Sequence, residues 1–109
     1  LRRKSPHLAD APLAAGPVTL DPASCTVMVD GKQVEIGNAE YKLLKFMMAH
    51  RERAFSRSQL LDKVWGDHAV IEERTVDVHV GRLRKALGPA EKLIRTVRSV
   101  GYMLSEKQA

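Results

Sequence analysis

Residues 74–87 read RTVDVHVGRLRKAL. Wound at 3.6 residues per turn, this stretch divides into two faces. Val76, Val80, Leu83 and Leu87 recur at i, i+4, i+7 and i+11 and form one apolar stripe. Arg74, Thr75, Val78, Gly81, Arg82 and Lys85 fall on the opposite arc, and His79 flanks it. A helix of this kind is anchored by its apolar side and offers arginine, threonine and a small apolar group on the other. Those groups suit the phosphates and base edges of a DNA major groove. Gly88-Pro89 ends the helix, because glycine accepts the conformation of a C-terminal stop and proline cannot continue the ladder.

Charge location supports the same reading. Between positions 74 and 98 there are seven Lys/Arg and two acids, whereas the remaining residues carry eleven of each sign. The whole net charge of +5 therefore comes from this helix and the segment immediately after it. An acidic partner such as nucleic acid is expected. The 109 residues fit one domain, and 44% hydrophobic content allows one modest core without deep enclosed pockets. The single cysteine, Cys25, rules out an internal disulfide and suits a reducing, cytoplasmic location. No apolar run approaches a membrane span, and no signal-peptide core opens the chain.

Outward from the central helix, the chain orders itself into short strands, three helices and a hairpin. Residues 1–16 are rich in Pro and Ala, begin with Arg2, Arg3 and Lys4, and read as a linker to an absent N-terminal domain. Strands are expected at 18–20, 26–29 and 33–36, with turns at Asp21-Pro22 and Asp30-Gly31. A first helix spans about 38–50, capped by Gly37 or Asn38, with Glu40 near its positive end. Leu43, Leu44, Met47 and Met48, beside Tyr41 and Phe46, make its apolar face, and the methionine pair is core filler. A second helix spans about 57–65, announced by the capping box of Ser56 and Gln59 and stopped by Gly66. Leu60, Leu61 and Val64 face the core. In the loop after it, Val70 and Ile71 either pin the chain to the core or present a contact surface. Strands at 93–97 and 101–104 flank the turn Arg98-Ser99-Val100. The expected fold is α+β: an N-terminal antiparallel sheet, three helices and a C-terminal hairpin, a winged helix-turn-helix over residues 17–105 with a tail at 106–109.

Several residues outside the central helix fit the same chemistry. Arg98 at the hairpin tip either enters a minor groove or is an exposed turn residue. The Tyr102 ring belongs in the core, with its hydroxyl able to reach a phosphate. Trp65 either packs or donates its indole N–H to a phosphate, and Arg57 lies at a helix start that attracts phosphate. No His or Cys pair has metal-ligand spacing, and no nucleophile–base arrangement or Gly-rich phosphate loop is present, so neither cofactor nor enzyme activity is expected. A rival reading is a basic interaction module that docks on an acidic partner, such as RNA polymerase subunits, without reading bases. Binding to RNA or membrane by charge alone is a further rival. The central helix lacks a Trp/Phe/Leu insertion face, and the hairpin lacks aromatics for stacking bases.

Four segments, YKLLKFM, SRSQLLDKVWG, RTVDVHVGRLRKAL and IRTVRSVGYML, resemble the winged-helix effector domain of OmpR/PhoB-type two-component response regulators. The resemblance covers about residues 17–105 and is greatest to the phosphate-starvation branch of that family. It implies a receiver domain phosphorylated by a sensor kinase, head-to-tail dimers on direct repeats of double-stranded DNA, and control of phosphate-starvation genes, as an activator. It implies that Arg82 reads bases, that Thr75, Asp77, Val78 and His79 lie at or beside the DNA, and that Arg57, Trp65 and Arg84 meet phosphates. Thr96 and Tyr102 would fix the backbone near the wing, and Arg98 would enter the minor groove. The loop that includes Gly66, Asp67, His68, Val70 and Glu72 would contact RNA polymerase sigma factor. Two departures stand out. Gly81 occupies a position where that branch usually has a second arginine, and Ser99-Val100 replaces the glycine that often follows the wing arginine.

Overall fold

The computed structural model describes residues 12–66 and 72–106. Four short strands open it: β1 (Leu13–Ala15), β2 (Val18–Asp21), β3 (Thr26–Val29) and β4 (Lys32–Val34). They form one antiparallel sheet in chain order, with Val18 opposite Val29 and Leu20 opposite Val27. Val18, Leu20, Val27 and Val29 point to the core while Thr19 and Met28 point out, the period-2 alternation of a half-buried sheet. Asp30 and Gly31 both take positive φ, at 54° and 80°, as the two-residue turn between β3 and β4 requires. β1 takes in residues assigned to the linker by sequence. Its three residues pair with β2, and Ala15 is buried.

Three helices follow. α1 (Asn38–Ala49) buries Leu43, Leu44, Met47 and Met48, the expected face, together with Glu40, which was expected only to sit at the helix start. α2 (Arg57–Leu60) starts on the capping box: Gln59 N–H donates to Ser56 Oγ at 3.0 Å, and Ser56 N–H donates to Gln59 Oε1 at 2.9 Å. It continues as a wider turn, Leu61–Trp65, closed by Gly66 N–H on the Leu61 carbonyl at 3.0 Å. That π-type winding replaces the plain α-helix expected up to Trp65. α3 (Glu73–Leu87) buries Val76, Val80, Leu83 and Leu87, the predicted stripe. Gly88, at φ 57°, caps it, and a 3₁₀ turn (Gly88–Leu93) leads into the hairpin.

The second sheet has three strands: β5 (Ala54–Ser56), β6 (Ile94–Val97) and β7 (Gly101–Leu104). β6 and β7 are the expected hairpin, with Val97 opposite Gly101. β5, which sequence reading missed, pairs with β7 and gives the order β5-β7-β6. Gly101 makes this pairing possible, since a Cβ there would collide with the Phe55 carbonyl oxygen and lie 2.9 Å from Ser56 Cα. The two sheets and three helices share one core, and Glu106 ties its ends together by accepting from Gly16 N–H at 3.0 Å and pairing with Arg51 at 2.9 Å. Glu106 was expected to be tail; residues 107–109 lie outside the described residues. Among the described residues, no helix is long and apolar enough to cross a membrane.

Candidate nucleic-acid interface

With its apolar stripe sealed, α3 turns the opposite arc outward. Val78 is 50% exposed on this arc. Gly81, Arg82 and Lys85 are exposed and Thr75 is half-buried. Arg82 forms no ion pair or hydrogen bond with any described residue. Its guanidinium keeps five donors for an outside acceptor. Arg74 is exposed and pairs loosely with Glu72 at 2.8 Å, in water on both sides. An exposed pair of this kind is worth little and exchanges readily for a phosphate.

Two side-chain networks lock α3 to its neighbours. In the first, Arg84 donates to the Ile94 carbonyl from Nε at 3.1 Å and from Nη2 at 2.9 Å, and to Thr96 Oγ1 at 2.8 Å. Its guanidinium also lies 5.6 Å from the centre of the Tyr102 ring. Arg84, expected to meet a phosphate, thus holds the wing through Nε and Nη2, with Thr96 as one of its anchors. In the second, Asp77 accepts from Arg57 Nη1 at 3.1 Å and from the Tyr102 hydroxyl. Asp77 on α3 thus joins the start of α2 to β7. Burial, then the hydrogen bond to the Asp77 carboxylate, raises the Tyr102 hydroxyl to about 12, so it stays a donor at neutral pH.

His79 is turned inward, a departure from its expected place on the flank of the reading face. Nδ1 meets Glu40 Oε2 on α1, and only 15% of the side chain is exposed. The ring lies 5.3 Å, centre to centre, from that of Trp65. Trp65 is half-buried against the core, so its ring packs. Sequence reading missed Glu40 as a participant. The signal was there: Glu40 precedes Leu43 and Leu44 by three and four residues, so it lies on the apolar stripe of α1.

The wing tip carries Arg98, Ser99 and Val100, all exposed, with Val100 N–H donating to the Val97 carbonyl at 3.0 Å. Ser99 takes φ 66°, the conformation that glycine favours, so the turn keeps its shape without glycine. Of the loop residues, Gly66 is exposed at φ 90° and Glu72 is exposed before α3. Asp67, His68 and Val70 lie outside the described residues.

Known proteins share this fold. Residues 31–104 match the family described as "Transcriptional regulatory protein, C terminal". The phosphate regulon transcriptional regulatory protein PhoB of Pseudomonas aeruginosa is 55% identical over 108 residues, covering 98% of this chain and 47% of that protein. The chain thus spans about half the length of the curated relatives it matches. The Klebsiella pneumoniae RstA DNA-binding domain, solved in complex with the RstA box, superimposes with a TM-score of 0.76 at 30% identity, covering 88% of this chain and 98% of that one. Response regulator DrrB, a Thermotoga maritima OmpR/PhoB homologue, gives 0.77 at 27% identity over 86% of this chain and 44% of its own.

Proposed function

We propose that this chain, which belongs to the OmpR/PhoB family as its C-terminal DNA-binding domain, reads double-stranded DNA with Arg82 and Val78 in the major groove and Arg98 in the minor groove. The observation that carries this is Arg82: exposed, without a partner among the described residues, on a helix whose far side is sealed into the core. An arginine fork suits the O6 and N7 acceptors of guanine, and valine suits a thymine methyl. Arg57, Arg74, Thr75 and Lys85 supply phosphate contacts that fix register, with Trp65, Tyr102 and Thr96 supporting them. Such a domain is a transcription-factor module, not an enzyme.

The relatives named for the phosphate regulon support a longer protein. In it, residues 1–16 lead from a receiver domain phosphorylated by a sensor kinase, with β1 at their end docked on the DNA-binding domain. The protein acts in the cytoplasm on phosphate-starvation genes, pairs head to tail on direct repeats, and contacts RNA polymerase sigma factor through the 66–72 loop. Selection of bound sites from a random duplex pool tests the DNA reading. Enrichment of one motif, repeated about one helical turn apart, is expected. The logarithm of affinity should fall against that of salt concentration with a slope of about −0.9 per phosphate contact. Recovery of no motif, with affinity insensitive to salt, would overturn it.

A further inference from the structure

The buried charge in this domain stands outside the exposed reading face. Glu40 is 6% exposed, in the first turn of α1 and on its apolar stripe; the helix dipole favours an acid in that turn but does not require it to be buried. Burying a carboxylate is costly unless a partner takes it up. Its partner is 39 residues away on the DNA-reading helix: Oε2 meets His79 Nδ1. The other oxygen, Oε1, is folded back over Gly37, where an added Cβ would collide with it. Gly37 has an ordinary φ of −69°, so backbone conformation does not demand glycine there. The space is what matters. The missing side chain at position 37 lets the carboxylate reach His79.

This arrangement uses one ring nitrogen of His79 and leaves the other. Nε2 has no partner among the described residues, and the ring, packed beside Trp65, keeps some exposure. His79 lies four residues after Thr75 and three before Arg82, in line with both on α3. A carboxylate accepting from Nδ1–H fixes the ring plane and favours a ring protonated on both nitrogens, whose Nε2–H can donate to an anion. We propose that Glu40 is a positioning residue for DNA binding: seated over Gly37, it accepts from His79 Nδ1–H and holds the ring so that Nε2–H donates to a backbone phosphate beside the Arg82 contact. This rests on the DNA-binding reading above. Specific affinity is thereby set in part by a residue of the first helix that touches no DNA.

The test uses Gly37→Ala, which leaves both partners and the whole of α3 unchanged. The new methyl displaces only the end of a flexible side chain, so the fold is retained. Affinity is measured for a duplex carrying the site recovered from the random pool, well below the melting temperature of each variant. Gly37→Ala, Glu40→Ala and His79→Ala should each weaken binding about tenfold, the size of one charge-assisted hydrogen bond. In a Glu40→Ala background, Gly37→Ala should have no further effect. Glu40→Gln should restore most of the affinity, since its amide oxygen still accepts from Nδ1–H. Long-range 1H–15N spectra of the DNA complex should show His79 protonated on both ring nitrogens in the parent chain and not in Gly37→Ala, a signature that general destabilisation does not produce. Two results overturn the proposal while leaving DNA binding intact: His79→Ala binding as the parent does, or Gly37→Ala binding normally while His79→Ala is weak. A parent chain that recovers no duplex overturns both readings together.

Discussion

Arg84 Nη2 donates to Thr96 Oγ1 at 2.8 Å, and through that bond α3 holds the first strand of the wing. The same guanidinium holds the Ile94 carbonyl with two donors. Lysine, with a point charge, cannot match that fork. Arg84→Ala should lower stability by about 1–2 kcal/mol and Arg84→Lys by less, read from urea unfolding. Affinity for DNA should fall in step, because the wing loses its fixed angle to α3. If Arg84→Ala leaves stability unchanged and weakens only binding, the side chain meets a phosphate directly and the wing clamp is the wrong account.

In the proposed reading, Arg82 carries the sequence preference. Arg82→Ala should lose about 1–3 kcal/mol of binding to the preferred site and flatten discrimination between sites. Lys92→Ala, exposed on the turn after α3, serves as the control and should leave discrimination as it was. Competition binding with matched and mismatched duplexes separates these outcomes, and discrimination that survives in Arg82→Ala would remove the residue from its assigned role.

Gly81 faces open space, since a Cβ there would meet nothing within 4 Å. Gly81→Ala should therefore raise stability by about 1 kcal/mol, the difference in helix propensity, without disturbing packing. Gly81→Arg should steepen the salt dependence of DNA binding by about 0.9 if the added group reaches a phosphate. Denaturant midpoints and a salt titration read the two effects separately.

Gly101 is the opposite case. A side chain there runs into backbone of β5, which cannot rotate away. Gly101→Ala should destabilise by about 1–3 kcal/mol, the usual range for overpacking. Hydrogen exchange should show the loss first at the amides shared by β5 and β7, the strands that the methyl forces apart.

Tyr102 has a predictable alkaline signature. Its hydroxyl is raised from 10.0 to about 12 in the folded chain, by burial first and the Asp77 hydrogen bond second. A raised acid keeps its proton in the fold after the unfolded chain has lost it. The stabilisation it provides is therefore complete below pH 10 and is lost as pH rises towards 12. Tyr102→Phe should lack this alkaline loss, and difference spectra at phenolate wavelengths should show the missing titration near the top of that window.

Much of the architecture was legible in the chain itself. The stripe of Val76, Val80, Leu83 and Leu87, the capping box of Ser56 and Gln59, and the turn at Asp30-Gly31 are written in spacing or in a few adjacent residues. β5 was not legible, because three residues are too few to display alternation and the strand exists only through its pairing with β7. The π-type turn ending α2 left no mark in the periodicity either.

The local pattern of apolar and polar residues determined which side of each helix is buried, because solvent exclusion acts residue by residue along a fixed period. It could not determine where the charges on those helices end up. Arg57 finds Asp77 across 20 residues, Tyr102 finds the same carboxylate across 25, and His79 finds Glu40 across 39. A hydrogen bond is satisfied within about 3 Å and with fixed direction, so its partner is chosen by how the helices cross and not by their order in the chain. Tertiary packing alone therefore decided that Arg82 stands free among the described residues while Asp77, Arg84 and one ring nitrogen of His79 hold α3 to its neighbours.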